Sequence, residues 1–339
     1  MMKRFFLIAL CLTLLAMPVQ TAMAEESVSA DALMDEAQVY LDAEDYESAV
    51  PILEKAAEAG SALAQNELAK CYINGTGVAQ DDEEAFRYFR MAADQGLVKS
   101  QYNLGTCYYY GIGVESDTSK AFECFMLAAD QGFDYAQNFI GYLYETGIGT
   151  EQNYEKAVEY YRLAAEQNFP TAQSNLGLCY QDGIGVDQDY EEAVKYFQLA
   201  ADQGDSSAQN SLGYCYSYGL GVEQSFEEAQ KYYQLAADQG NPDGIYNLGY
   251  NCYFGEGTEQ DYEKALEYFH AAAEMENPGA FFMIGECYFN GNGVEKDLEK
   301  AAEWYQKSLD EGYEPDEEDQ THLSEVFAEL YNLKLDFAA

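Results

Sequence analysis

The chain has 339 residues, with 61 acidic against 17 basic side chains and a formal net charge of −44 at pH 7. A body this acidic repels nucleic acid and anionic membrane surfaces, so neither is expected as a partner. Its two histidines, His270 and His322, have no paired spacing, so no zinc site and no cofactor are expected.

Residues 1–24 read as an export signal. Lys3 and Arg4 form a basic start, an apolar run extends from Phe5 to Met17, and Ala22-Met23-Ala24 is a small-residue cleavage site before Glu25. The apolar run is too short for a comfortable membrane span, and no later segment approaches one. Leu10 before Cys11 argues against a lipid anchor, which wants a small residue there. Cleavage would leave 15 basic against 61 acidic residues, a net −46, in a secreted or periplasmic protein. The carboxylates fall mainly in loops and on exposed sides of helices, as Asp187, Asp189, Glu191, Glu192 and Asp202 illustrate. Such a surface suits solubility and favours a basic partner.

Residues 25–60 carry Ala37, Tyr40, Tyr46, Ala49 and Ala56 at helical spacing, with no Gly-x-Gly loop. That pattern looks like a plain tetratricopeptide unit serving as an N-terminal cap.

From residue 61 to 312 a 36-residue unit recurs seven times without a gap, starting at Ser61, Leu97, Phe133, Phe169, Asp205, Asn241 and Asn277. Position 8 of the unit is always Leu or Ile, and position 9 is Gly in every unit except the first, where Ala69 stands. A fixed period of this length marks a solenoid, because one such unit cannot bury its own apolar face and must stack on its neighbours. The fourth unit shows how it folds. Ala172, Leu176, Gly177, Cys179 and Tyr180 predict a first helix from about Thr171 to Asp182. Gly183 is placed to end it in the left-handed conformation. Val186 is placed to tuck the loop onto the core. Asp189 or Tyr190 opens a second helix with inner face Ala193, Tyr196, Phe197, Ala200 and Ala201, closed by Gly204. Gly177 and Ala193 are expected to let the two helices approach closely. The fold class is therefore all-α, a solenoid of helix-turn-helix repeats forming one elongated domain.

The motif resembles the Sel-one-like repeat (SLR) family, a relative of the tetratricopeptide repeats. Residues 205–240 show it as Ala208, Leu212, Gly213, Tyr216, Gly219, Gly221, Val222, Ala229, Tyr232, Tyr233, Ala236 and Ala237. The resemblance covers 61–312. Local departures are Ala69, Cys124, Cys252 and the pair Ser308-Leu309. It implies a right-handed superhelix whose first helices line a concave side, and a role in binding proteins as an adaptor, regulator or host-interaction factor.

Residues 313–339 read as a C-terminal cap. After Pro315 and an acidic run, Leu323, Val326, Phe327 and Leu330 share one helical face that would cover the last unit.

Cys71, Cys107, Cys179, Cys215 and Cys287 all occupy position 11, which Leu143 takes in the third unit, so they read as core residues. Equivalent positions in stacked helices lie ~8–10 Å apart, beyond disulfide reach. The one pair placed to bridge is Cys107 with Cys124, on facing helices of one unit.

Catalytic patterns are absent. The stretch Asp187-x-Asp189-x-Glu191 lacks the Gly and final Glu of a calcium loop, and the Gly-x-Gly pairs follow helices and sit among carboxylates, unlike a phosphate cradle. Aromatic side chains are the stronger lead. By analogy with tetratricopeptide proteins, positions 6, 10, 13 and 14 of the first helix face a groove. They hold Tyr102, Tyr109, Tyr110, Tyr142, Tyr214, Tyr218, Tyr246, Tyr250, Tyr253, Phe254, Phe282 and Phe289. Packing between helices is the alternative place for some of them, position 6 above all. Tyr joins apolar area to a polar tip and is favoured at interfaces. The expected function is non-catalytic binding of a protein or peptide, with a glycan stacked on the tyrosines as the alternative.

Overall fold

The computed structural model describes residues 29–315, 319–324 and 326–328. The export signal at 1–24, and Leu330 of the C-terminal stretch, lie outside them. Every regular element among the described residues is an α-helix. Contacts divide the chain into two compact units, Met1–Leu97 and Val98–Ala339, where the sequence alone suggests one elongated domain. An array that contacts only its neighbours can be divided at a unit boundary.

The first compact unit holds α1 (Ala30–Asp42), α2 (Tyr46–Glu58), α3 (Ala62–Asn74) and α4 (Asp82–Asp94). The second begins with α5 (Val98–Tyr110), α6 (Thr118–Ala129), α7 (Asp134–Thr146), α8 (Tyr154–Glu166), α9 (Pro170–Asp182) and α10 (Tyr190–Ala201). It continues with α11 (Ser206–Tyr218), α12 (Phe226–Asp238), α13 (Pro242–Phe254), α14 (Tyr262–Glu274), α15 (Pro278–Asn290) and α16 (Leu298–Asp310). Residues 319–324 and 326–328 are also helical. Within each compact unit, helices pack on their sequence neighbours.

Helix ends follow from the residues that cap them. Asp117, Asn153, Asp189, Asp205, Ser225, Asn241, Asp261, Asn277 and Asp297 each accept a hydrogen bond from a backbone N–H of the first turn. Gly183 ends α9 at φ 70°, in the left-handed conformation expected of it. Val186 packs against the core as expected.

The position-9 glycine has a sharper role than helix approach alone. A Cβ at Gly177 would lie 2.6 Å from the Phe197 ring, and one at Gly213 would lie 2.5 Å from that of Tyr233. The bare backbone is the floor on which the position-29 aromatic ring lies. Phe197 is fully buried there and joins α9 to α10. Beside it Tyr180 and Tyr196 stack with centroids 5.8 Å apart and planes 6° from parallel, and Tyr216 with Tyr232 repeats the pair.

Consecutive units of the second body meet through a repeated backbone contact. A Cβ at Gly185 would lie 2.3 Å from the Tyr154 carbonyl oxygen, at the start of the preceding second helix. Gly149 on Thr118, Gly221 on Tyr190 and Gly293 on Tyr262 repeat it. In the first body Gly77 sits on Tyr46 in the same way, so α1 and α2 present the surface a full repeat presents.

A glutamine pair recurs in five units and adds a polar seam. Buried Gln173 donates to the Ala165 carbonyl at 3.3 Å and accepts from Gln203 Nε2 at 2.8 Å. Gln95–Gln65, Gln131–Gln101, Gln167–Gln137 and Gln239–Gln209 are its equivalents. The sixth unit replaces both members together, by Ile245 and Met275. A buried amide left without its partner costs about 1–3 kcal/mol, whereas an apolar pair of matching shape is nearly neutral. Gln203→Met alone, which leaves the buried Gln173 Oε1 without its donor, is therefore expected to destabilise by ~1–2 kcal/mol. Adding Gln173→Ile should recover part of the loss, a coupling of ~0.5–1.5 kcal/mol in a double-mutant cycle read by urea unfolding. Strict additivity would show that the pair does not act as a unit.

Candidate partner-binding site

The aromatic residues read from the sequence separate into two groups. Positions 6 and 13 lie along the seam between one first helix and the next. Tyr102 packs on Phe133 and Tyr135 of the following unit, with centroids 5.4 and 6.4 Å away, and Tyr109 packs on Phe139 at 5.3 Å. Where position 6 is polar the same seam is hydrogen-bonded, from Asn175 to Asn138 at 3.0 Å and from Asn247 to Asn210 at 2.8 Å. Tyr246 is half-buried and lies against Gly279. Tyr253 and Phe282, expected in the groove, are instead buried. Tyr253 accepts at its hydroxyl from Asn292 at 2.8 Å, and Phe282 is enclosed by Tyr305 and Tyr313. Phe289 is half-buried, with its ring 6.4 Å from His322.

Positions 10 and 14 face outward in the second to sixth units, whereas Glu286 at position 10 of the seventh is buried. Tyr110, Tyr142, Tyr214, Tyr218 and Phe254 are exposed, from 38% at Tyr142 to 66% at Tyr110, and Tyr250 is half-buried beside them. They gather in two patches. One spans the second and third units, where Tyr109 touches Tyr110 at 4.9 Å and Phe139 touches Tyr142 at 5.7 Å. The other spans the fifth and sixth, where Tyr214 lies 4.6 Å from Tyr218 and Tyr250 lies 4.4 Å from Phe254. The fourth unit contributes exposed Leu178 at position 10. Tyr135, at position 3, is also exposed and was not among the expected residues; its place three and seven residues before positions 6 and 10 was the available signal.

Burial is the main cause that pushes the hydroxyl of Tyr218 upward, with neighbouring Tyr214 and Glu256 adding to it. Burial does the same at Tyr102, Tyr109 and Tyr246. Deeper in, Tyr305 donates to the buried Glu286 carboxylate at 2.5 Å, and His322 Nδ1 lies 3.3 Å from the same oxygen. This cluster fastens the C-terminal helical residues to the seventh unit, and Leu323 and Val326 join the apolar core beneath them. Several lysines lie over aromatic rings of the chain itself, as Lys120 does over Tyr108 and Lys156 over Tyr144. The large carboxylate excess comes from composition, with 61 acidic against 17 basic residues.

None of the seven described cysteines is in a disulfide. Burial pushes the thiols of Cys179 and Cys287 up to about 12 and that of Cys215 up to about 11. These are core thiols with little thiolate at neutral pH. Among the described residues no group of three or more His, Cys, Asp or Glu could hold a metal ion, and no helix is long and apolar enough to cross a membrane.

The Sel1 repeat pattern matches residues 41–61, 62–97, 98–133, 134–169, 170–205, 206–241, 242–277 and 280–313. The first of these, but for its last residue, lies within the segment 25–60 read as the N-terminal cap. No curated protein matches the chain. Among solved structures, one similar protein is a protective antigen of uropathogenic Escherichia coli strains that displays an SLR fold. It is 32% identical, with a TM-score of 0.65, over 88% of this chain and 72% of that one. Another is a Sel1 repeat protein from Oxalobacter formigenes, 32% identical with a TM-score of 0.67 over 71% of this chain and 96% of that one. The Cut9–Hcn1 hetero-tetramer of the APC/C is similar in fold alone, at 16% identity and a TM-score of 0.53 over 88% and 56% of the two chains. With this match over most of its length, on a helix-pair array that repeats every 36 residues, the chain belongs to the Sel1 repeat family.

Proposed function

We propose that this protein is an exported, non-catalytic adaptor that binds a basic protein or peptide on the outward face of its first helices. The observation that carries the reading is the set of exposed aromatic side chains at positions 10 and 14 of the first helices. Tyr and Phe at such places supply large contact area at low entropic cost. The acidic surroundings, Glu223, Glu256 and Glu259 among them, would speed the approach of a cationic partner. A glycan is the weaker occupant, because the exposed rings tilt against each other by 44–45° and do not offer a flat platform. The kinship to a protective antigen is compatible with exposure outside the cell.

Two measurements test the reading. N-terminal sequencing of the protein recovered from its own host should begin at Glu25; an intact chain in the cytoplasm refutes export. Partners captured from the envelope fraction, once identified and purified, should lose affinity when the exposed aromatic residues are removed.

A further inference from the structure

The second helices carry a surface feature of their own. Leu127, Leu163, Leu199 and Leu235 stand at position 31 of four consecutive units, and each is between 41% and 54% exposed. The buried face of their helices is made by other residues, as Ala193, Phe197, Ala200 and Ala201 show for α10. Packing does not demand leucine at this position, since the sixth and seventh units place Ala271 and Lys307 there, both exposed. Three residues after each leucine comes an exposed carboxylate: Asp130, Glu166, Asp202 and Asp238. Residues three apart are neighbours on a helix surface. The fold thus carries a row of leucines and, beside it, a row of carboxylates, both with the period of the unit.

We propose that these paired rows on α6, α8, α10 and α12 form a docking surface for a basic amphipathic helix of a partner protein, separate from the aromatic face. A helix advances about 10.5 Å per heptad, so one laid across successive units can return apolar residues to the same face at the leucines it crosses. Lys or Arg on its flank would face the carboxylates. Charge decides against the other occupants. A second copy of this chain would oppose carboxylate to carboxylate, and an anionic membrane would be repelled.

A synthetic four-heptad peptide of leucine and lysine, with leucine on one heptad seam, is the probe. Its control has the same composition with the leucines scattered around the helix. Fluorescence anisotropy against the full protein should show the seam peptide binding at least about tenfold tighter than the control. Replacing all four leucines by Ala, the residue at 271, should remove that advantage. The Tyr214→Ala/Tyr218→Ala/Phe254→Ala variant should leave it unchanged, so this surface and the aromatic face can fail independently. Circular dichroism verifies folding, and Leu163→Lys/Leu199→Lys, the residue at 307, serves if the alanine variant unfolds. Equal binding of both peptides, no saturable binding, or unchanged binding after leucine removal overturns the proposal. So does a wild-type dimer in sedimentation, or flotation with neutral phosphatidylcholine vesicles, that disappears with the leucines.

Discussion

Gly185→Ala is expected to cost about 3 kcal/mol or more, whereas Gly204→Ala should cost only ~1 kcal/mol. Both residues have a left-handed backbone, at φ +71° and +88°. An L-residue in that conformation pays about 1–2 kcal/mol, so both substitutions share this term. Their surroundings differ. Around Gly204 no atom lies within 4 Å of the new Cβ. At Gly185 the Cβ would meet the Tyr154 carbonyl oxygen at 2.3 Å and its carbon at 2.5 Å. That neighbour is backbone at the start of a helix and cannot rotate away, so the unit interface must open, adding roughly 1–3 kcal/mol. In a repeat array the damage should be local, visible as faster hydrogen exchange in α8 and α9 before global unfolding changes. Equal losses for the two variants in urea unfolding would show that backbone conformation, not the unit contact, sets the cost.

Tyr214→Ala, Tyr218→Ala and Phe254→Ala are each expected to weaken partner binding by ~1–3 kcal/mol, chiefly through faster dissociation. All three are exposed, so thermal unfolding should change little. Tyr253→Ala supplies the contrast. It removes a buried ring that packs on Tyr262 and Phe269, and should lose stability by about 3–5 kcal/mol. Glu223→Lys and Glu259→Lys should instead slow association and flatten its salt dependence. Surface plasmon resonance separates the two rates. If the aromatic variants bind like the wild type while folding normally, the outward first-helix face is not the site.

Much of the fold is legible in one unit of sequence. Gly183, Asp189 and Val186 act where local chemistry alone would put them, because caps and loop anchors depend on neighbours a few residues away. The candidate site is legible only in part. Positions 6 and 10 differ by about 40° around a helix with 3.6 residues per turn. That angle decides between a seam and an open surface, and it depends on how the next unit leans, which no single unit records. Phe282 at position 6 and Tyr214 at position 10 therefore look alike as candidates in sequence, although the first is buried and the second exposed. The glutamine pair did leave a trace, since both members vanish together at Ile245 and Met275. The sixth unit also places Asn251 in the core position that Cys holds elsewhere, and its Nδ2 finds no partner there. Its neighbour Cys252 takes the place of the stacking tyrosine, while the helix still ends on the usual left-handed glycine, Gly255 at φ 74°.

The glycine contact between units has a consequence for lineage as well as for stability. Gly185 meets a carbonyl, and Gly149, Gly221 and Gly293 meet the same group on the units before them. Because a carbonyl is common to every residue, this one contact does not depend on which unit stands on either side, whereas the first-helix seam does, through pairs such as Tyr102 on Phe133 and Asn175 on Asn138. Duplication or loss of one whole 36-residue unit keeps the glycine contact in register, whereas a change of any other length leaves a glycine facing the wrong turn. Unequal recombination by whole units therefore preserves the backbone contact and leaves the side-chain seam to be refitted. The outward residues of each added copy are then free to diverge.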